Sequence, residues 1–152
     1  MHDQLIKAAG PAQPVWSNHV NKIPLLYDNK IFTFQGCTMS ARFKFNDFRQ
    51  LCFRAEIVEQ EFIDFLTILH DKCTIFSREE YFKPVNRLLF DNYFFGKCCN
   101  NCVIEDIHGN QVDISFEREI TFIPTFKFCG IYCSVNGTYS SVKFIATKII
   151  VL

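Results

Sequence analysis

The run from Phe126 to Leu152, FKFCGIYCSVNGTYSSVKFIATKIIVL, constrains the fold most, because it reads as two long strands around a tight turn. Asn136-Gly137 tolerates positive φ at both central turn positions and stands between two β-rich runs, the strongest local hairpin signal a sequence carries. Before the turn, Phe126, Phe128, Gly130 and Tyr132 share one face, and Lys127, Cys129, Ile131 and Cys133 the other. After it, Val142, Phe144, Ala146, Lys148 and Ile150 alternate with Lys143, Ile145, Thr147, Ile149 and Val151. The last strand is therefore apolar on both faces, as expected for a strand buried on both sides or curled inside a small barrel. The rest of the chain has to close a sheet around this hairpin.

Upstream, residues 1–29 form an extended lead-in, with Gly10, Pro11, Pro14 and Pro24 against a helix and Trp16 as its anchor. After a turn at Asp28-Asn29, KIFTFQGCTMSARFKF alternates as a strand from Lys30 to Phe45, and Gly36 inside it predicts a bend or bulge. A second strand is predicted over Gln50 to Ile57. Val58, Phe62, Phe65, Leu66 and Leu69 then recur at helical spacing, predicting a helix from Val58 to about Lys72, although Ile63 and Ile68 lie off that stripe. Ser77-Arg78-Glu79-Glu80 reads as the cap of a short second helix, and the course of 73–95 is otherwise open. A further hairpin is predicted from Val103–Ile107 and Gln111–Phe116 around His108-Gly109-Asn110. The expectation is a mostly β fold: a five- to six-stranded antiparallel OB-fold barrel over 30–152, with one or two packing helices in an insertion at about 58–95.

Sixteen basic and sixteen acidic residues balance, so no global field draws the chain to polyanions. The N-terminus lacks an apolar signal region and no run approaches the ~18 residues of a membrane span, which predicts an intracellular chain with reduced cysteines. Cys37, Cys52 and Cys73 are then expected as small buried hydrophobes. Eighteen Phe provide core, partner surface or stacking rings.

No nucleophile, phosphate-loop or paired-carboxylate motif involves His2, His19, His70, His108, Asp106 or Asp113, so no catalysis and no cofactor are expected. Cys99 and Cys102 form a C-x-x-C and Cys129 and Cys133 a later pair, an alternative zinc set that a stabilised adaptor would use. Cationic and aromatic residues interleave at Arg42-Phe43-Lys44-Phe45, Phe48-Arg49, Phe53-Arg54, Lys127-Phe128, Tyr139 and Lys143-Phe144. Rings beside a cationic groove are what single-stranded nucleic acid needs, so Arg42, Lys44, Arg49, Arg54, Lys127, Tyr139 and Lys143 are the candidate contacts. The competing reading is an ordinary half-buried strand, Phe inward and Arg or Lys outward.

The Pro-rich GPAQPVW, the pair KIFTFQGCTMSARF and QLCFRAEI, and TFKFCGIYCSVNGTYSSVKFIATKII resemble the smallest subunit of the CST (Ctc/Stn/Ten) telomere complex, itself similar to the small subunit of replication protein A. The resemblance covers about half the chain. It implies a non-catalytic OB-fold subunit of a telomere- or telomerase-associated complex that handles single-stranded DNA, nuclear and at chromosome ends. It also implies pairing with a larger, Stn-like OB-fold subunit. The family usually carries a docking helix after the last strand; with the sequence read to Leu152, the resemblance implies that the inserted helix takes that role, with Phe62, Ile63, Phe65, Leu66 and Leu69 as the candidate partner surface. A stand-alone single-strand binder, for example viral, is the alternative; neither a membrane nor a small-molecule substrate is expected.

Overall fold

Alternation sets the strands, and glycines and surplus residues set where they break. The computed structural model describes residues 7–8, 14–15, 20–23, 25–26, 33–81, 84–134 and 139–152; Trp16 and the Asn136-Gly137 turn lie outside them. The described elements are β1 (Lys7–Ala8), β2 (Pro14–Val15), β3 (Val20–Ile23), β4 (Leu25–Leu26), β5 (Thr33–Gln35), β6 (Met39–Ala41), β7 (Phe43–Phe45), β8 (Leu51–Glu56), α1 (Gln60–Tyr81), β9 (Tyr93–Asp106), β10 (Ile120–Ser134) and β11 (Ser140–Val151). The described residues are mostly β with one helix, consistent with an OB-like plan. No described helix is long and apolar enough to cross a membrane. Contacts divide the chain into two compact units. One holds Asp64–Leu88 and Phe128–Lys143 with the pieces before Thr33; the other holds Thr33–Ile63, Leu89–Lys127 and Phe144–Leu152.

In the first unit the described parts of the lead-in are short strands. Lys7 pairs with Leu26, Pro14 with Asn21, and Val20–Ile23 runs antiparallel to the end of β10, with Ile23 opposite Ile131. Phe128, Cys129, Gly130 and Ile131 are buried in succession, so the predicted alternation of faces stops here. Gly130 has φ 115°, a conformation that favours glycine, and it turns the strand.

The helix runs about nine residues beyond the predicted Lys72, because its buried row continues past the hydrophobic stripe as Cys73 and Ser77. Ser77 is thus a buried mid-helix residue, not the cap of a second helix. Its hydroxyl lies 2.6 Å from that of Ser140, which is also buried, a polar pairing that hydropathy cannot signal. The Ser140 N–H donates to Pro84 O and the Asn86 N–H to Ser140 O, both at 2.8 Å, so part of the open 73–95 stretch lies along the start of β11.

The second unit is organised by rings. Phe43, Phe53 and Phe122 meet at 4.9–5.1 Å between centroids, Phe126 reaches Phe34 and Phe94 at 5.6 and 5.3 Å, and Phe144 lies 5.5 Å from Phe34. The predicted first strand is interrupted into three: β5 and β6 pair with β10, whereas β7 pairs with β8. The first break begins at Gly36, whose N–H donates to Pro124 O at 2.8 Å, and the second falls at Arg42; a Cβ added at Gly36 would lie 3.1 Å from the Pro124 ring. From β7 the ladder proceeds through β8, β9 and β11 to β10. β9 and β11 run parallel, a departure from the all-antiparallel expectation.

Two irregularities decide faces. Along the β9–β11 ladder, Ala146 opposes Cys98 and Lys148 opposes Val103, so two residues of β11 advance against five of β9. The shift lets Phe144 and Ala146 and then Ile149 be buried, overturning the predicted face of Phe144, Ala146, Lys148 and Ile150. Lys148 instead pairs with Glu105 at 2.7 Å. The second irregularity is at Gly96, opposite Phe53 on β8. The Phe53 ring lies over it, in the space an alanine Cβ would need.

The predicted 103–116 hairpin is reduced to a turn and one bridge, Glu105 to Gln111. The Asp106 carboxylate accepts from the His108 and Asn110 N–H groups, both at 2.9 Å. Those bonds, Asn110 first, hold Asp106 below the usual carboxylate range. Residues 112–119 then leave the ladder, and Phe116 packs 5.2 Å from the Phe45 ring.

Candidate nucleic-acid interface

The outer face of β7, β8 and β9 carries the alternate residues to those in the ring core. Phe43 and Phe53 face each other inside, which places Lys44 and Arg54 outside. Across the next ladder Cys52 opposes Lys97, Arg54 opposes Phe95 and Glu56 opposes Tyr93. Three strands therefore place Lys44 and Lys97 in one row, on either side of the buried Cys52, and Arg54 with Phe95 in the next. The Arg54 guanidinium lies 4.2 Å from the Tyr93 ring centre and 5.7 Å from that of Phe95, a stacked cation between two rings.

The loop from β7 to β8 extends this face. Asn46 holds it: its side-chain oxygen accepts from the Phe48 and Gln50 N–H groups at 3.0 and 2.9 Å, and its own N–H donates to Gln50 O. Arg49 closes the turn at φ 58°, and Phe48, 89% exposed, stands at the tip. Among the described residues, Arg42, Lys44, Arg49, Arg54 and Lys97 take part in no ion pair.

At the other end lies an open groove of about 510 Å³, where Arg42, Arg54 and Tyr93 meet Glu56, Glu59 and Glu119. Its carboxylates repel phosphate, so the face is electrostatically directional: cations and rings run from Arg54 toward Lys97 and Phe48, acids the other way.

The structure brings together four of the predicted contacts, Arg42, Lys44, Arg49 and Arg54. Lys127 is exposed on β10, outside the β7–β9 face. Tyr139, exposed, and Lys143, half-buried, belong to the first unit. Tyr93, Phe95 and Lys97 are the residues sequence reasoning missed; their period-2 spacing in NYFFGKC was the available signal. Phe48 was noted only as a neighbour of Arg49.

The helix residues fare differently. Phe62, Phe65, Leu66 and Leu69 are at most 7% exposed, so the chain itself covers the stripe expected to dock a partner; Ile63 alone is half-buried. Cys52 and Cys73 are buried as expected, but Cys37 is partly exposed, and burial, reinforced by Glu59, pushes its thiol up to about 11.

For zinc, no group of three or more His, Cys, Asp or Glu residues is placed to hold a metal ion among the described residues. Cys99 and Cys102 belong to the second unit and Cys129 to the first; the side chain of Cys133 lies outside the described residues. Instead, Cys98 and Cys102 interact with each other. A hydrogen bond from Cys98, then one from Cys99, lowers the Cys102 thiol, while that same contact and burial raise Cys98.

The sequence matches no protein-family profile and no curated protein. Among solved structures the chain is similar to gp2.5, a single-stranded DNA-binding protein encoded by bacteriophage T7, with a TM-score of 0.60 and 15% identity over 80% of this chain and 86% of that one. At that identity the likeness is one of fold: this chain has the fold of a phage protein built on an OB-like plan.

Proposed function

We propose that this protein binds single-stranded DNA on the outer face of β8 and β9, acting by binding and not by catalysis, on a ladder closed into an OB barrel by its interrupted first strand. The observation that carries this is the stacked row Tyr93, Arg54 and Phe95, flanked by Lys44 and Lys97, which offers ring faces to bases and cations to phosphates. Strands two and three with the first loop are where OB-folds take oligonucleotides, and Phe48 and Arg49 occupy that loop. The fold shared with a phage single-stranded DNA-binding protein supports the same class of ligand. The acids of the groove set where the strand stops. Anisotropy titration of a labelled single-stranded oligonucleotide at two salt concentrations, beside the matching duplex, tests it. Binding of the single strand that weakens steeply with salt is expected; equal binding of duplex, or none at low salt, overturns it.

A second reading is the subunit of a nuclear, telomere-type complex, paired at chromosome ends with a larger OB-fold protein. Its support is apolar surface elsewhere than on the helix: Phe45 and Phe116, in contact and 59% and 44% exposed. Sedimentation of the purified chain separates the two, since self-association relieved by Phe45→Ser favours pairing.

A further inference from the structure

We propose that Cys98 and Cys102 form a reversible dithiol–disulfide site, in which Cys102 attacks a low-molecular-weight disulfide and Cys98 resolves the intermediate. Three observations place it. Residues 99–102 are surplus to the β9–β11 ladder, where five residues of β9 span two of β11, so this segment can shift while the pairs on either side, Cys98 with Ala146 and Val103 with Lys148, stay in register. The two thiols are free, and fitting five residues of β9 into the rise of two of β11 brings Cys98 and Cys102 closer along the chain than an extended strand would. They also differ in access: Cys102 is half-buried with exposed Asn100 and Asn101 ahead of it, whereas Cys98 is buried where the register shift begins.

The thiols elsewhere sharpen the contrast. Burial alone pushes Cys73 up to about 12, which makes it a slow attacker on an outside disulfide, while hydrogen bonds from its neighbours hold Cys102 below the ordinary thiol range. Cys98 is raised as well, but it attacks a disulfide held four residues away on its own segment, where proximity offsets its small thiolate fraction. The chemistry balances without a metal. The Cys102 thiolate attacks one sulfur of glutathione disulfide, an S–S bond forms to the protein, and glutathione thiolate leaves and takes up a proton. The Cys98 sulfur, losing its proton to solvent, then attacks Cys102 and expels the second glutathione. Two protein thiols are oxidised and one glutathione disulfide becomes two thiols. Gln50 Nε2 donates to Cys98 O at 3.3 Å, so the site is tied to the loop that carries Phe48 and Arg49. The thiol chemistry itself needs no nucleic acid, and stands or falls apart from the DNA reading.

The test uses the full chain treated with glutathione disulfide, followed by alkylation, intact mass and fragment mapping. The expected result is a loss of about 2 Da with a Cys98–Cys102 bond, reversed by dithiothreitol, in a chain that keeps its urea midpoint. With limiting alkylating reagent, Cys102 should react at least about tenfold faster than Cys73. Cys98→Ala should stop at a glutathione adduct on Cys102, and Cys99→Ser should oxidise as the parent does. A Cys99–Cys102 bond, or Cys102 reacting no faster than Cys73, overturns the proposal on the unsubstituted chain whatever the variants do.

Discussion

Phe94 and Phe95 are chain neighbours of the same residue type with opposite work to do. Phe94 is 3% exposed and packs against Phe126; Phe95 is 59% exposed and lies beside the Arg54 cation. Strand alternation alone separates them, and with them the two faces of β7–β9: one holds the fold together, the other is free to bind. A ring inside contributes through contacts made on folding. A ring outside contributes almost nothing to folding and stays available to a ligand.

That contrast can be broken in order of effect. Phe53→Ala, in the ring cluster, should cost about 3–5 kcal/mol, read as a lower urea midpoint, with binding per folded molecule unchanged. Phe95→Ala should leave stability within about 0.5 kcal/mol yet weaken single-strand binding by about 1–3 kcal/mol, read by anisotropy. A Phe95→Ala chain that unfolds would merge the two faces. Lys97→Ala should leave both midpoint and stacking nearly intact and lower the slope of log affinity against log salt by about 0.7, one phosphate contact. Asp106, on neither face, sharpens the baseline. Its carboxyl is depressed, so the turn bonds support folding above the ordinary carboxylate range and are lost as pH falls through the lower folded value. The midpoint difference between the parent chain and Asp106→Ala should therefore be present near neutral pH and vanish in acid.

How much of this could be read beforehand follows from where the periodicities hold. β8, the long C-terminal strands and the break at Gly36 were legible because alternation and glycine speak locally. The faces of β11 were not, because a register shift against β9 exchanges even for odd positions, and nothing within β11 records it. The helix was found but cut short, since its last buried positions are Cys73 and Ser77. Reading Phe62, Phe65, Leu66 and Leu69 as a partner surface left out the cover that the chain itself provides for them. The interface divided the same way. Arg42, Lys44, Arg49 and Arg54 stood out against inward-facing Phe, while Tyr93, Phe95 and Lys97 sat in a stretch whose pairing partners are non-local.

The ring of Phe53 lying over Gly96 ties two distant positions into one evolutionary unit. Any descendant that keeps phenylalanine at 53 is barred from every side chain at 96. Escape requires trimming the ring and filling the glycine together, so Phe53→Leu with Gly96→Ala should be tolerated better than Gly96→Ala alone. Among diverged sequences of this fold, those two sites should change as a couple or not at all.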